Sequence, residues 1–236
     1  MGCILKVVAI IQARMGSTRF PNKVLKKLGQ FSLIEFLLKR LSLANEIDQI
    51  VLATSNDERN KPLIEHVGHL GFECFAGSED DVLDRYCQVA KKVRADIVIR
   101  VTGDSPFVDP ELADDFIKVF KNNNVDYVSN TLPPSYPDGL DIEVFSFNAL
   151  STACEKGVSS FQREHVTPYI KESKEFSKIN VTCEEDLSGK RWTVDEQEDF
   201  EVAQNVVTHF FPVWNFGWKS ILELERSSPE LFAEAG

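Results

Sequence analysis

The stretch Val7-Val-Ala-Ile-Ile-Gln-Ala-Arg-Met-Gly-Ser-Thr-Arg-Phe-Pro-Asn-Lys23 decides the fold of the N-terminal half. Its uninterrupted apolar start is typical of a central strand that is covered on both faces, and predicts a buried strand over residues 5–11. After the loop, apolar residues recur at helical spacing, which predicts an amphipathic helix within residues 31–43. A strand, a loop and a helix in this order form the first unit of an α/β fold.

The loop at residues 13–23 is basic, although the chain as a whole is acidic. Its cations are Arg14, Arg19 and Lys23, and no acidic residue accompanies them. Phosphate binding also needs close backbone approach and additional donors, which are supplied here by Gly16, Ser17 and Thr18. The loop therefore predicts a site for a polyanion, most simply a triphosphate. The alternative is a basic surface loop that is only solvated.

Strands and helices alternate over the first half of the chain. Further strands are predicted over residues 49–54, 72–75, 96–101 and 126–129, and helices over residues 62–70, 79–93 and 110–121. This alternation implies a mostly parallel sheet with right-handed crossovers and helices on both faces. The expected fold class is α/β, a three-layer sandwich.

The pattern changes at Thr131. Residues 140–147 and 176–183 look extended, and residues 161–171 are predicted to form a helix that Pro168 complicates. Residues 192–194 are predicted to be a short strand, followed by a helix over 196–210 and a C-terminal helix. We therefore predict one domain, residues 1–236, in which an inserted region at residues 131–190 covers the site and contributes to a dimer interface.

Composition narrows the class of protein. The chain has 236 residues, and 26 Lys and Arg against 37 Asp and Glu give a net charge of −11, which argues against nucleic acid or an anionic membrane as partner. Its 5 cysteines are scattered without a C-x-x-C pair, so neither a disulfide framework nor a zinc site is expected. The N-terminal apolar run is too short to span a membrane. These features predict a cytoplasmic protein.

Polar residues follow the predicted strands, and in an open parallel sheet ligands bind beyond the carboxyl ends of the strands. Asp104 and Asp195 each come directly after an apolar run, and Mg²⁺ commonly takes one or two carboxylates together with substrate phosphates. The alternative for each is an aspartate that caps a helix or a turn. The motifs of P-loop, dinucleotide-binding and serine hydrolase sites do not occur in the sequence.

Residues 11–25 resemble the sugar cytidylyltransferases, which include CMP-KDO synthetase and CMP-sialic acid synthetase. The family pattern A-R-x-x-S-[ST]-R-[LF]-P-x-K is complete here. Further matches follow in order at residues 53–56, 77–85, 100–106, 138–143, 163–168 and 193–195. The sequences of residues 12–19 and 77–85 best resemble those of the spore-coat polysaccharide biosynthesis type. The region 131–190 as a whole resembles neither the KDO nor the sialic acid enzymes, so the resemblance does not identify the sugar.

The resemblance implies a nucleotidyltransferase fold related to glycosyltransferase type A domains, a homodimer, and a role for each matching residue. The catalytic residues would be Arg14, Arg19, Lys23 and Asp104, and the Mg²⁺ ligands Asp104 and Asp195. The nucleotide would be bound by Ala13, Arg14, Gly16, Ser17, Thr18, Arg19, Lys23, Asn56, Gly77, Arg85 and Thr102. The sugar would be bound by Arg100, Asp138, Asp141, Glu143, Glu164 and His165; for His165 a structural role stays open.

The implied reaction is attack of a sugar oxygen on the α-phosphorus of CTP, with release of pyrophosphate and formation of a CMP-sugar for surface polysaccharide. The acceptor would be a 3-deoxy-2-ulosonic acid or, alternatively, a sugar phosphate or polyol phosphate. A glycosyltransferase that consumes a nucleotide sugar is a second alternative, but it would have little need for the full basic loop. A nucleotide-binding protein without catalysis is a third, and the two aspartates argue against it.

Overall fold

A computed structural model describes residues 5–233 of the chain. Within them the strands are β1 Val7–Gln12, β2 Lys27–Leu28, β3 Phe31–Ser32, β4 Gln49–Ser55, β5 Glu73–Gly77, β6 Ile97–Thr102, β7 Tyr127–Ser129, β8 Glu143–Ser146 and β9 Lys178–Asn180. The helices are α1 Leu33–Leu41, α2 Lys61–His69, α3 Val82–Val93, α4 Pro110–Asn123, α5 Phe147–Lys156, α6 Ser160–His165, α7 Pro168–Glu172, α8 Gln197–Phe210 and α9 Trp218–Ser227. The strands and helices predicted for the first half are confirmed, with ends that differ by a few residues.

The described strands form one seven-stranded sheet, in the order β5-β4-β1-β6-β8-β7-β9, and a separate β2–β3 hairpin. Strands β5, β4, β1 and β6 are parallel neighbours, β7 is parallel to β9, and β8 is antiparallel to both β6 and β7. The predicted α/β fold with a mostly parallel central sheet is confirmed.

Strand β1 shows why helices cover both faces of the sheet. Its alternate side chains point to opposite faces. Val7, Ala9 and Ile11 pack with the layer formed by α1, α2, α4, α8 and α9, whereas Val8 and Ile10 pack with the layer of α3, α5 and α7. All five side chains are fully buried, which explains why the run is apolar without alternation.

The region at residues 131–190 contributes to the sheet itself, because β8 lies between β6 and β7. Helix α5 in this region was not predicted, although Ser146 caps it by accepting a hydrogen bond from the Ala149 amide. The single helix predicted over residues 161–171 is wrong. The chain forms α6 and α7 instead, because Val166 has a φ of 71° and a proline follows at the start of α7.

The structure also corrects the expectation that the cysteines form no disulfide framework. In the structure Cys87 of α3 and Cys154 of α5 form a disulfide, with an S–S distance of 2.20 Å and a sequence separation of 67. The two helices pack side by side in one layer, and this tertiary contact brings together cysteines whose spacing gives no sign of it. Among residues 5–233, no helix combines the length and the apolar character needed to cross a membrane.

Arg40 of α1 is fully buried and links the C-terminal segment to the core. Its guanidinium donates to the carbonyl oxygens of Val108 (3.2 Å), Trp214 (3.1 Å) and Phe216 (2.8 Å). Burial disfavours its charged form and lowers the Arg40 pKa to about 10. The hydrogen bonds to these carbonyl groups offset that cost, because those of Val108 and Phe216 are buried and need a donor.

Candidate active site

A cleft of about 780 Å³ opens beyond the carboxyl ends of β1 and β6. Its walls come from the basic loop, the turn after β6, the start of α3, and α6. The predicted site residues that line it are Ala13, Arg14, Gly16, Ser17, Thr18, Arg19, Lys23, Arg85, Thr102, Asp104, Glu164, His165 and Asp195. The predicted site residues that lie outside its walls are Asn56, Gly77, Arg100, Asp138, Asp141 and Glu143. The volume is in the range of a nucleotide or other small-molecule site.

Lys23 is the most buried of the three loop cations, with 10% of its side chain exposed. Its Nζ donates to Asp195 Oδ1 (2.8 Å) and to the Val194 carbonyl oxygen (2.7 Å), and lies 3.7 Å from Asp104 Oδ2. Partial burial favours the neutral form of Asp195, but the hydrogen bond and charge of Lys23, with the charge of Arg19, lower the Asp195 pKa. One ammonium thus lies between the two carboxylates that the sequence singled out.

The prediction that Asp195 ends a short strand at residues 192–194 is wrong. The backbone there pairs with two turns instead: the Trp192 amide donates to the Asp138 carbonyl oxygen (2.7 Å), and the Val194 amide donates to the Asp104 carbonyl oxygen (2.8 Å). These bonds still bring Asp195 beside Asp104. Neither aspartate caps a described helix, because Asp109 caps α4 and Glu196 caps α8.

Arg14 and Arg19 are about half exposed and meet acidic side chains that the loop itself lacks. Arg19 lies 3.2 Å from Asp195 Oδ2 and donates to Glu196 Oε1 (3.1 Å), and Arg14 lies 3.5 Å from Glu79 Oε1. Ion pairs this exposed contribute little to stability, so either guanidinium can turn to a phosphate at little cost. Convergence of three cations on one cleft favours the anion site over the solvated loop.

Asn60 holds the loop to the sheet, although nothing in the sequence marked it as a site residue. Its side-chain Oδ1 accepts from the Met15 amide (2.8 Å), and its Nδ2 donates to Ser55 Oγ (2.7 Å) at the end of β4. Asn60 is 2% exposed. A buried amide with partners on both sides fixes where the loop lies, which only the folded structure reveals.

Gly103 lets the turn after β6 lie directly against the start of the basic loop. A Cβ at this position would lie 2.6 Å from Ala13 Cβ and 2.9 Å from the Gln12 carbonyl oxygen. We expect Gly103→Ala to force β1 and β6 apart at the cleft and to cost about 1–3 kcal/mol of unfolding free energy, the usual range for overpacking. Thermal or denaturant unfolding measures this loss.

Gly68→Ala is the matched control for that variant. Gly68 lies within α2, and a Cβ there would meet nothing within 4 Å. Because alanine is the better helix former, this variant should be more stable than the parent by up to about 1 kcal/mol. Equal effects of the two substitutions would contradict the close approach described at Gly103.

Arg85 of α3 is 3% exposed and lines the cleft. Its Nη1 donates to the Ser78 carbonyl oxygen (2.9 Å), whereas its Nε has no acceptor among the described residues. Burial lowers the Arg85 pKa. Because Arg85 lines the cleft, its guanidinium suits a carbonyl or phosphate oxygen of a ligand. Asn56, which is exposed, and Gly77 lie outside the cleft wall, joined by a hydrogen bond from the Asn56 backbone amide to the Gly77 carbonyl oxygen (2.8 Å).

Arg100 and Glu143 form a buried ion pair behind the cleft, with a distance of 2.7 Å from Nη1 to Oε2. Lys171 of α7 contacts the other Glu143 oxygen. Burial opposes the charge of Glu143, but Arg100 and Lys171 outweigh it and lower the Glu143 pKa to about 2. The structure therefore places these two predicted sugar-binding residues in the protein interior, not in the cleft wall.

Helix α6 brings Glu164 and His165 into the cleft wall. The His165 ring packs on the exposed Phe161 ring, with centroids 4.5 Å apart. Arg163, which is not among the predicted site residues, donates through Nε to Asp81 Oδ2 (2.9 Å) and so ties α6 to the start of α3.

Asp138 and Asp141 lie at the surface beside the turn that contains Gly139. Gly139 has a φ of 107°, and a Cβ there would lie 2.8 Å from the Trp192 carbonyl carbon, so glycine is required. Asp141 remains accessible to water, yet the protein around it removes much of its hydration, and the charges of Asp138 and Glu143 add repulsion. Together these effects raise the Asp141 pKa to about 6.

We expect Asp141→Asn to stabilise the protein at pH 7.5 but not at pH 4. The folded pKa of about 6 lies above the ordinary aspartate value of 3.8, so the carboxyl group contributes stability at low pH, and this contribution is lost as the pH rises through 6. Solvent screens this exposed group, so the gain should be about 1 kcal/mol or less, or about 2–4 °C in Tm. Asp115→Asn on α4 is the control, and an equal shift at both pH values would contradict the prediction.

The two carboxylates of the cleft suit Mg²⁺ only if substrate phosphates and water complete its coordination. Within residues 5–233, no group of three or more His, Cys, Asp or Glu side chains could hold a metal ion, so an all-protein cage is not formed there. Asp104 and Asp195 are two carboxylates that meet at Lys23. Mg²⁺ is commonly bound by one or two carboxylates completed by substrate phosphates and water, and these two residues fit that mode.

Sequence comparison places these features in a family. The cytidylyltransferase profile matches residues 8–226. The chain is 36% identical over 230 residues to an uncharacterised protein of Methanocaldococcus jannaschii, covering 96% of this chain and 93% of that one. It is 36% identical over 203 residues to the spore coat polysaccharide biosynthesis protein SpsF of Bacillus subtilis, covering 83% of each. A 3-deoxy-manno-octulosonate cytidylyltransferase of Trichlorobacter lovleyi is 34% identical over 119 residues, 50% of this chain and 46% of that protein.

Comparison with solved structures also finds a cytidylyltransferase. A cytidylyltransferase from Leptospira borgpetersenii superposes with a TM-score of 0.93 at 29% identity, covering 97% of each chain. A CMP-2-keto-3-deoxy-manno-octonic acid synthetase, solved in complex with CTP, superposes with a TM-score of 0.66 at 18% identity, covering 86% of this chain and 99% of that one, and shares the fold. With the profile spanning almost the whole described chain and the basic loop and its two aspartates in one cleft, the chain belongs to the cytidylyltransferase family of enzymes.

Proposed function

We propose that the protein transfers CMP from CTP to a sugar acid of the 3-deoxy-2-ulosonic type, releasing pyrophosphate, for the synthesis of a surface polysaccharide. The cytidylyltransferase family supports the CTP half of this reaction. The acceptor is supported by the relative named as a 3-deoxy-manno-octulosonate cytidylyltransferase, and the destination by the relative named for spore coat polysaccharide biosynthesis.

The observation that carries the proposal is the cluster of Lys23, Asp104 and Asp195 at the base of the basic loop. A site for an inorganic anion alone has no use for two carboxylates beside its cations. A site for a metal-bound triphosphate needs both, because the cations neutralise phosphate oxygens while the carboxylates hold the metal.

Catalysis by the chain's own residues would rest on alignment and charge. Arg14, Arg19 and Lys23 would bind the β- and γ-phosphates and stabilise the negative charge that builds on the leaving pyrophosphate. Arg19 would exchange its weak surface pairs with Asp195 and Glu196 for the triphosphate. Glycine and hydroxyl groups of the loop would add backbone and side-chain donors.

Mg²⁺ would be held by Asp104 and Asp195, and when bound it would neutralise charge at the α-phosphate. Glu164 and His165 would face the acceptor from α6, and Arg85 would hold an oxygen of the nucleotide base or ribose. Alignment of acceptor oxygen and α-phosphorus supplies a large part of the rate enhancement in reactions of this type. A homodimer stays a prediction, which light scattering would check.

The experiment is a panel of the four nucleoside triphosphates crossed with KDO, sialic acid and sugar phosphates, with Mg²⁺ present and pyrophosphate release as the readout. We expect release with CTP and an ulosonic acid only, and a CMP-sugar detectable by mass spectrometry. Pyrophosphate release with sugar phosphates but not with ulosonic acids would show that the acceptor is a sugar phosphate. CTP binding without release for any acceptor, or transfer from a ready-made nucleotide sugar, would overturn the proposal.

A further inference from the structure

The chain turns sharply immediately after Glu164 and His165. Val166 has φ 71° and ψ −59°, and the Thr167 amide donates to the His165 carbonyl oxygen at 2.8 Å. This is a γ-turn with positive φ, the rare and strained form, and a β-branched residue is an outlier there. Such strain persists only where the surrounding structure holds it in place.

Two features of the surroundings hold this turn. The Val166 side chain is fully buried and packs in the same core cluster as Ile170. Thr167 is 1% exposed, and its hydroxyl donates to Glu143 Oε1 at 2.9 Å. The turn is therefore pinned on one side by apolar packing and on the other by a carboxylate.

That carboxylate is itself fixed to the central sheet. Glu143 lies on β8 with 2% of its side chain exposed, accepts a hydrogen bond from Tyr127 of β7 (2.6 Å) and pairs with Arg100 of β6 (2.7 Å) and Lys171 of α7 (2.5 Å). A buried carboxylate that is fully satisfied by two cations and two hydroxyl groups has little freedom to move.

We propose that Glu143 is a positioning residue: through Thr167 it holds the strained turn at Val166, and thereby fixes Glu164 and His165 in the cleft wall. This extends the proposed function, since it rests on the assignment of those two residues to the acceptor. Glu143 acts on the acceptor side without touching the acceptor, in contrast to the sugar-binding role that the resemblance implies.

A matched pair of variants tests the positioning. Thr167→Val and Tyr127→Phe each remove one hydroxyl donor to the same Glu143 oxygen, but only Thr167 adjoins the turn. We expect amide hydrogen exchange at residues 160–167 to be about 10-fold faster in Thr167→Val, the scale of losing a hydrogen bond to a charged group, and unchanged in Tyr127→Phe. Thr167→Ser, which keeps the hydroxyl, should exchange like the parent.

Equal exchange in the two variants, whether faster or unchanged, would overturn the positioning role. Thr167→Ala serves in place of Thr167→Val if the latter does not fold, with the same expectation. This measurement needs no substrate, so it decides the positioning role even if the panel above finds no activity and the proposed function fails.

Kinetics with the acceptor that the panel identifies test the consequence. Thr167→Val should raise the KM for that acceptor by about 10-fold while the KM for CTP stays within about 2-fold of the parent, and Tyr127→Phe should change neither. A general structural defect would alter both KM values or lower kcat alone. An active parent with the same acceptor KM in both variants would remove the link between the turn and the acceptor.

Discussion

Lys23→Ala should lower kcat for pyrophosphate release by about 100-fold or more, the scale of losing one preorganised electrostatic stabiliser. Lys23 is the loop cation with the least water around it, so its charge acts through a less polar medium than those of Arg14 and Arg19. The substitution also leaves Asp195 without its 2.8 Å hydrogen bond. Steady-state kinetics with saturating CTP and Mg²⁺ measure the loss.

Lys27→Ala is the control for Lys23→Ala. Lys27 lies on the β2–β3 hairpin, is exposed and does not line the cleft. It carries the same charge a few residues away, so a general effect of lowering the positive charge of this region would appear in both variants. We expect Lys27→Ala to keep kcat within about 2-fold of the parent, as for a surface change away from the site. A Lys23→Ala enzyme with a near-parent rate would remove Lys23 from the catalytic machinery.

Arg40→Met should lower the free energy of unfolding by about 3 kcal/mol, or about 6–12 °C in Tm. Two effects oppose each other in this variant. Removing the guanidinium relieves the cost of burying a charge, the cost that lowers its pKa to about 10. It also removes the guanidinium donor from the buried carbonyl groups of Val108 and Phe216 and from the partly buried carbonyl group of Trp214. Two buried carbonyls that lose their donor, at about 1–3 kcal/mol each, and a third that is partly buried outweigh the relief.

Lys39→Met, at the preceding position of α1, is the control. Its side chain is 38% exposed, and within residues 5–233 its contacts are one of 4.0 Å with Glu35 and a cation–π contact with Phe31, so its loss should cost less than about 1 kcal/mol. Urea unfolding of both variants measures the difference. An Arg40→Met protein as stable as the Lys39→Met protein would show that the C-terminal segment is held by apolar packing alone.

Much of the fold could be predicted because the first half of the chain repeats one local pattern. The parallel strands β1, β4, β5 and β6 are short runs rich in apolar residues, and an amphipathic helix follows each of them, in the case of β1 after the β2–β3 hairpin. Strands that are buried on both faces are recognisable from this apolar composition. The second half of the chain has no such repeated pattern of apolar strands and amphipathic helices. β8 lies in the middle of the sheet, antiparallel to both of its neighbours. A strained turn at Val166 separates α6 from α7, and the hydrophobic periodicity of the sequence does not predict it.

The candidate site divides in the same way. The basic loop and the two aspartates were recognisable, because residue type and position after a strand are local properties. Asn60, Arg163 and the carbonyl partner of Lys23 were not, because their roles depend on contacts between distant positions. Lys23 and Val194, for example, are 171 positions apart. Glu143 was assigned to the sugar by resemblance, whereas its burial with Arg100 and Lys171 places it behind the cleft.

The sequence by itself determined the α/β class, the buried strand β1 and the chemistry of the loop at residues 13–23, because hydrophobic periodicity and residue type are local properties of the sequence. Only the tertiary structure decided the route by which Asp195 reaches Asp104, the Cys87–Cys154 pair and the anchoring of the turn at Val166. The physical reason is that hydrogen bonds and ion pairs between distant segments depend on which strands become neighbours. That choice is made by the packing of the whole sheet and its two helical layers.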